Sequence, residues 1–225
     1  MLIILFFLIL VLIYKSCVIF VNYVIEKFKI FDKDVIILSL KRSVDRRKNI
    51  EKNMKIKFKF FDAVDGMNMD RNILKKYNNK IDYSKLNPGQ IGCFISHLLI
   101  WESIKNKNTS TIILEDDSEI LNDSYEINEE ILKDDNFDII FLGHCAESKG
   151  KYLGNDIYES MYPRCTHGYI VTKKGANKLI KLFDDEKIDF PIDEKIGNMI
   201  YNKKLISYTI EPEIVKQNGS KSTIM

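Results

Sequence analysis

The apolar positions of this chain fall into three patterns. The first is a continuous block: residues 2–14 read LIILFFLILVLIY, Lys15 and Ser16 interrupt, and Cys17–Ile25 (CVIFVNYVI) resumes. A spanning helix needs about 20 predominantly apolar residues. The span qualifies if Lys15 is tolerated, at a cost of roughly 2.5–3.5 kcal/mol that flanking Leu, Ile and Phe offset. Residues 1–25 are therefore read as a transmembrane anchor of a single-pass membrane protein, with a cleaved signal peptide or a buried helix as alternatives. Against the signal peptide, no basic region precedes the run and no A-x-A-like site follows. Lys27, Lys29 and Lys33 after the span favour a cytosolic domain by the positive-inside rule, and the side of the membrane stays open.

The second pattern is a set of short apolar runs, which read as buried strands. They are Val35–Leu40, Phe58–Phe61, Thr111–Leu114, Phe137–Leu142, Gly168–Thr172 and Leu205–Ile210. The third is helical spacing. Asn87-Pro88-Gly89-Gln90 supplies an N-cap, a proline at the first helical position and a glutamine at the third. Behind it Ile91, Phe94, Ile95, Leu98 and Leu99 repeat on one face. Val44–Lys55 reads as a polar helix, Ala176, Leu179, Ile180 and Phe183 mark another, and Pro191–Tyr201 a last one. Strand–helix alternation predicts one α/β domain over residues 30–225 with a mainly parallel sheet.

Composition narrows the classes. Of 225 residues, 45% are hydrophobic, enough for a sizeable core, and the formal charge of +2 argues against nucleic-acid binding through overall charge. Of the four cysteines, Cys17 lies in the apolar block and Cys93 on an apolar helix face; Cys145 and Cys165 could pair in an oxidising compartment. His144 and His167 neighbour that pair, but no C-x₂-C spacing supports zinc.

In an open α/β sheet, ligands bind beyond the carboxyl ends of the strands. Three polar clusters fall there: Lys41, Arg42, Asp45, Arg46 and Arg47; then Asp62 to Gly66; then Glu115, Asp116 and Asp117. Basic and acidic clusters at one edge suit a phosphate-bearing ligand with a hard divalent cation between. If the strand continued through the triplet, the period of two would put Glu115 and Asp117 on one side and Asp116 on the other. Read alone, the triplet is equally a solvated turn.

Six ordered blocks carry a resemblance. They are IILSLKRSVDRR (36–47), FFDAVDG (60–66), LNPGQIGCFISHLLIWESI (86–104), IILEDD (112–117), HGYIVTKKGANKLI (167–180) and FPIDEKI (190–196). Together they resemble glycosyltransferase family 25, the lipooligosaccharide and collagen galactosyltransferase-like group. Ser39 stands where the family often has Asn, and Gln90 where Glu is usual.

The resemblance implies a GT-A-like domain that moves galactose or glucose from a UDP-sugar to a hydroxyl of a glycan, lipooligosaccharide or protein acceptor. It implies Mn²⁺ or Mg²⁺ bridging the diphosphate, with Asp117 as first metal ligand. Glu115 and Asp116 would share the metal or ribose work. Arg42 and Arg46 would contact base or phosphate, Asp65 base or ribose, and Gly66 would let the backbone approach the ligand. An inverting transfer needs a base; Asp193 is the candidate, with helix capping as its alternative. Ser96 and His97 lie on an apolar helix, either as satisfied core residues or at the nucleotide. Gln217 and Ser220 are candidate contacts from the tail. The competing hypotheses are a catalytically inactive, membrane-tethered binding module for sugar nucleotides or glycans, and another metal-dependent phosphotransfer enzyme. The absence of a G-x-x-x-x-G-K-[ST] loop counts against the latter.

Overall fold

The computed structural model describes residues 11, 13–15, 27–132 and 136–219. Strand β1 is Lys27–Lys29 and β2 is Asp34–Leu40; helix α1 is Val44–Asn53 and β3 Lys59–Ala63. Then follow α2 (Arg71–Tyr77), α3 (Pro88–Ile104), β4 (Thr111–Glu115), β5 (Ser118–Ile120), β6 (Glu126–Asn128) and β7 (Ile139–Phe141). The C-terminal half adds β8 (Lys149–Gly154), β9 (Ile157–Ser160), β10 (Gly168–Val171), α4 (Lys173–Asp184), α5 (Ile192–Tyr201), β11 (Ser207–Ile210) and β12 (Val215–Gln217).

One eight-stranded sheet, in the order β3-β2-β4-β10-β7-β11-β9-β8, runs through the molecule. Most of its strands share one direction, as the alternation predicts, but two reversed strands make the sheet mixed. β2 pairs parallel with β3 and β4, and β7 with β11. The pairings β4–β10, β10–β7, β11–β9 and β9–β8 are antiparallel. The reversed strands are β10, which enters between β4 and β7, and β9, which enters between β11 and β8; a run of buried apolar residues carries no direction.

Both sheet faces are covered, and the strand period sorts the core into two layers. Ile36, Leu38, Ile113, Tyr169 and Val171 pack on the face holding α3, α4 and α5. Val35, Ile37, Ile112, Leu114 and Ile170 pack on the other face with Ile30, Ile50 and Phe137. Helix α3 is the central element of the first layer. Its capping box is complete: Asn87 Oδ1 accepts the Gln90 amide at 2.9 Å, and Gln90 Oε1 accepts the Asn87 amide at 3.0 Å. Trp101, Ile95 and Ile100 on it are fully buried.

The expectation of a single-pass membrane protein is corrected: among the described residues no helix is long and apolar enough to cross a membrane. Most of the 1–25 segment that prompted it lies outside the described residues.

Candidate active site

Helix α3 and the loop after β3 meet at two glycines. A Cβ on Gly66 would lie 1.6 Å from the Pro88 carbonyl oxygen, and one on Gly92 would lie 2.5 Å from the Val64 carbonyl oxygen. The backbone that Gly66 admits is therefore that of α3, and this contact docks the helix start onto the end of β3. Ser96 secures the same junction: its Oγ accepts the Val64 amide at 2.8 Å and donates to the Gly92 carbonyl at 2.6 Å.

A cleft opens beside this junction at the carboxyl ends of β2, β3 and β4. Arg42, Arg46, Asp65, Gly66, Ser96, Glu115, Asp116 and Asp117 all line it, with Ser39 and Cys93. The structure thus gathers these eight sequence-predicted residues around one cavity, which His97 and Gln217 do not line. Arg42 Nε donates to Asp65 Oδ2 at 2.6 Å at the open rim. This hydrogen bond holds the Asp65 carboxyl below its ordinary range, against burial.

The acidic triplet differs from its expected geometry. Strand β4 ends at Glu115; Asp116 and Asp117 form a turn, and the chain leaves into β5, which pairs with β12 rather than continuing the large sheet. The period of two therefore stops at Glu115. Asp116 does not point away from the other two: its Oδ1 accepts from Arg46 Nη1 at 2.5 Å and its Oδ2 from Ser39 Oγ at 2.8 Å, inside the same cleft. Ser39, one of the two departures from the family pattern, thus touches the triplet directly. Asp117 Oδ1 is buried without a hydrogen-bond partner. Burial pushes the Asp117 carboxyl up to about 6, Glu115 and Asp116 push the same way, and Arg46 opposes them.

Glu115 Oε1 accepts from Thr166 Oγ1 at 2.6 Å and lies 3.4 Å from His97 Nε2. Burial pushes this carboxyl up, but His97 and Thr166 outweigh it and hold the group below its ordinary range. His97 is fully buried and lines neither cavity. Sequence reasoning missed Thr166; its one signal was adjacency to the His167-Gly168-Tyr169 block.

A second cavity adjoins the first and shares Cys93 and Glu115 with it. Gln90, Thr166, Asp193 and Gln217 complete its polar lining. Asp193 sits in the first turn of α5, and its Oδ2 accepts the Cys165 amide at 3.0 Å. Burial pushes the Cys93 thiol well up, and Glu115, Asp193 and Asp117 add to it, so a neutral thiol stands between the cavities. Cys165 is disulfide-bonded to Cys145. The two sulfurs come within metal-binding reach of His167, but the disulfide commits them to each other, which leaves no thiolate for zinc. Ser220 lies outside the described residues.

The donor set fits a hard divalent cation. Carboxylate oxygens dominate one wall, and the buried, unpartnered Asp117 Oδ1 is an acceptor in want of a donor or a cation.

Comparison with known proteins places the chain. Residues 32–196 match the family model described as Glycosyltransferase family 25 (LPS biosynthesis protein), and the chain belongs to that family. A Haemophilus influenzae protein carrying a glycosyltransferase name is 29% identical over 177 residues, covering 71% of this chain and 61% of that protein. Procollagen galactosyltransferase 2 of Homo sapiens is 28% identical over 195 residues, 76% of this chain and 30% of that protein. Procollagen galactosyltransferase 1-B of Xenopus laevis is 30% identical over 202 residues, 77% of this chain and 32% of that protein. The chain therefore matches less than two thirds of the length of each of these relatives.

Proposed function

We propose that residues 30–225 form a GT-A-like catalytic domain that transfers a hexose, galactose or glucose, from a UDP-sugar to a hydroxyl of a glycan, lipooligosaccharide or protein. The observation that carries this reading is the joining of two cavities at Glu115 and Cys93. One cavity has an arginine rim and three carboxylates, and the other holds Asp193. The first suits a nucleoside diphosphate and the second an acceptor hydroxyl.

Asp117 would hold Mn²⁺ or Mg²⁺, with Glu115 beside it; the cation supplies charge neutralisation for the departing diphosphate when bound. Arg42 and Arg46, which line the first cavity, would contact phosphate or base, and a guanidinium can meet phosphate bidentately. In the transfer, the acceptor oxygen forms a bond to the anomeric carbon as the bond to the diphosphate oxygen breaks. The electron pair leaves with UDP, and Asp193 takes the acceptor proton. Attack from the face opposite the leaving group inverts the anomeric centre.

A panel of UDP-sugars with Mn²⁺, assayed for transfer and hydrolysis, tests this. Turnover of one of them, lost in Asp193→Asn while donor binding persists, is expected. Binding without any turnover would instead favour a catalytically inactive binding module.

A further inference from the structure

Behind Glu115 lies a chain of buried polar groups that the reaction scheme does not use. Trp101 Nε1 donates to Tyr169 Oη at 3.0 Å, and Tyr169 Oη lies 2.8 Å from His97 Nδ1. Among the described residues His97 Nε2 has no hydrogen-bond partner; Glu115 Oε1 lies 3.4 Å from it. Trp101, Tyr169 and His97 are all fully buried.

Proton inventory fixes the direction of this chain. An indole N–H can only donate, so Tyr169 Oη accepts from Trp101. The hydroxyl proton then needs an acceptor among these fully buried groups, where leaving the bond unmade is costly. His97 Nδ1 is the acceptor at hand. That assigns the imidazole proton to Nε2, the nitrogen that faces Glu115.

We propose that His97 is a positioning residue for Glu115. Locked as the Nε2–H tautomer by Tyr169 and Trp101, it turns an N–H toward Glu115 Oε1, 3.4 Å away, beside the hydrogen bond from Thr166 Oγ1. Two donors on one oxygen fix the carboxylate plane and leave the rest of the group turned toward the two cavities that Glu115 lines. The role extends the proposed function, since it concerns a carboxylate of the donor cleft. It also explains why a histidine and a tryptophan one helical turn apart on α3, and a tyrosine on β10, occur together. Trp101 follows His97 by four positions on the helix, so both face the same strand residue.

The test combines imidazole nitrogen NMR with kinetics on the full chain. The chain has three histidines, so the His97 signals can be assigned by replacing the other two one at a time. The expected wild-type spectrum at neutral pH shows a neutral ring with its proton on Nε2. A proton on Nδ1, or a cationic ring, overturns the proposal whatever the activity. Tyr169→Phe should release the tautomer lock and lower kcat/KM for the donor by about tenfold or more, as losing an outer hydrogen-bond partner typically does. A folded Tyr169→Phe protein with wild-type kcat/KM overturns the positioning role. If that variant does not fold, Thr166→Val, which removes the other donor to Oε1, is expected to give a similar loss and no change in the His97 tautomer; wild-type kinetics there also overturns it. An Nε2–H ring in a protein that turns over no UDP-sugar would uphold the lock and defeat the proposed transfer, so the two failures are distinguishable.

Discussion

Arg46 Nη1 reaches Asp116 Oδ1 at 2.5 Å across the floor of the cleft, tying helix α1 to the turn after β4. Asp116 is thereby committed to protein partners, Arg46 on one oxygen and Ser39 on the other. Its neighbour Asp117 keeps a buried oxygen without one. Adjacent carboxylates thus divide into a structural one and one that can take a ligand.

That division predicts opposite outcomes for two alanine variants. Asp116→Ala removes a partner from the largely buried Arg46 and should cost about 2 kcal/mol of stability, within the range for breaking charge-assisted hydrogen bonds. Asp117→Ala removes a buried carboxylate that is ionised at neutral pH against its raised pKa, so it should not lower thermal stability there, while removing activity. Thermal melts with the transfer assay separate the two, and equal destabilisation by both would argue that the whole triplet is structural.

A pH dependence follows from the same turn. The Asp117 carboxyl has a folded value of about 6 against an ordinary 3.8. A raised acid binds its proton more tightly in the folded state. Its contribution is therefore fully present below about pH 4 and is lost as pH rises through about 6. The metal-free protein should lose this contribution across that window, and Asp117→Asn should flatten that part of the melting curve. Because Mn²⁺ competes with the proton, stabilisation by the cation should be greater at pH 7 than at pH 5. Melts across pH with and without Mn²⁺ check both signs.

The junction of α3 with the cleft predicts a third outcome. Gly66→Ala would place a methyl group 1.6 Å from the Pro88 carbonyl oxygen, where backbone must move. The expected loss is about 3 kcal/mol, in the range for forced overpacking, with weaker donor binding as the cleft wall shifts. Denaturant unfolding of this variant measures the first effect directly.

The sequence made much of this visible. The strands Val35–Leu40 and Thr111–Leu114 and the start of α3 were legible because unbroken apolar runs and Asn-Pro-x-Gln chemistry have few other solutions. The gathering of Arg42, Arg46, Asp65 and the triplet followed from strand-end placement. Direction was not legible: nothing in GYIV at 168–171 says that β10 runs against its neighbours. The orientation of Asp116 was not legible, because it depends on whether the strand continues past Glu115; it ends there, and Arg46 and Ser39 hold that carboxylate in the cleft. Thr166 carried no signal beyond its adjacency to the His167-Gly168-Tyr169 block, since its role arises only when β10 lies beside β4. The short strands β5, β8, β9 and β12 have mixed polar sequences whose pairing is set by the rest of the fold.

Calorimetry of UDP binding in the presence and absence of Mn²⁺, on the wild type and on Asp117→Ala, addresses the cleft most directly. UDP should bind the wild type with Mn²⁺ and weaken by about tenfold or more either without the cation or in the folded variant. Equal affinity in all of these conditions, or no UDP binding at all, would contradict a cation–diphosphate site at Asp117.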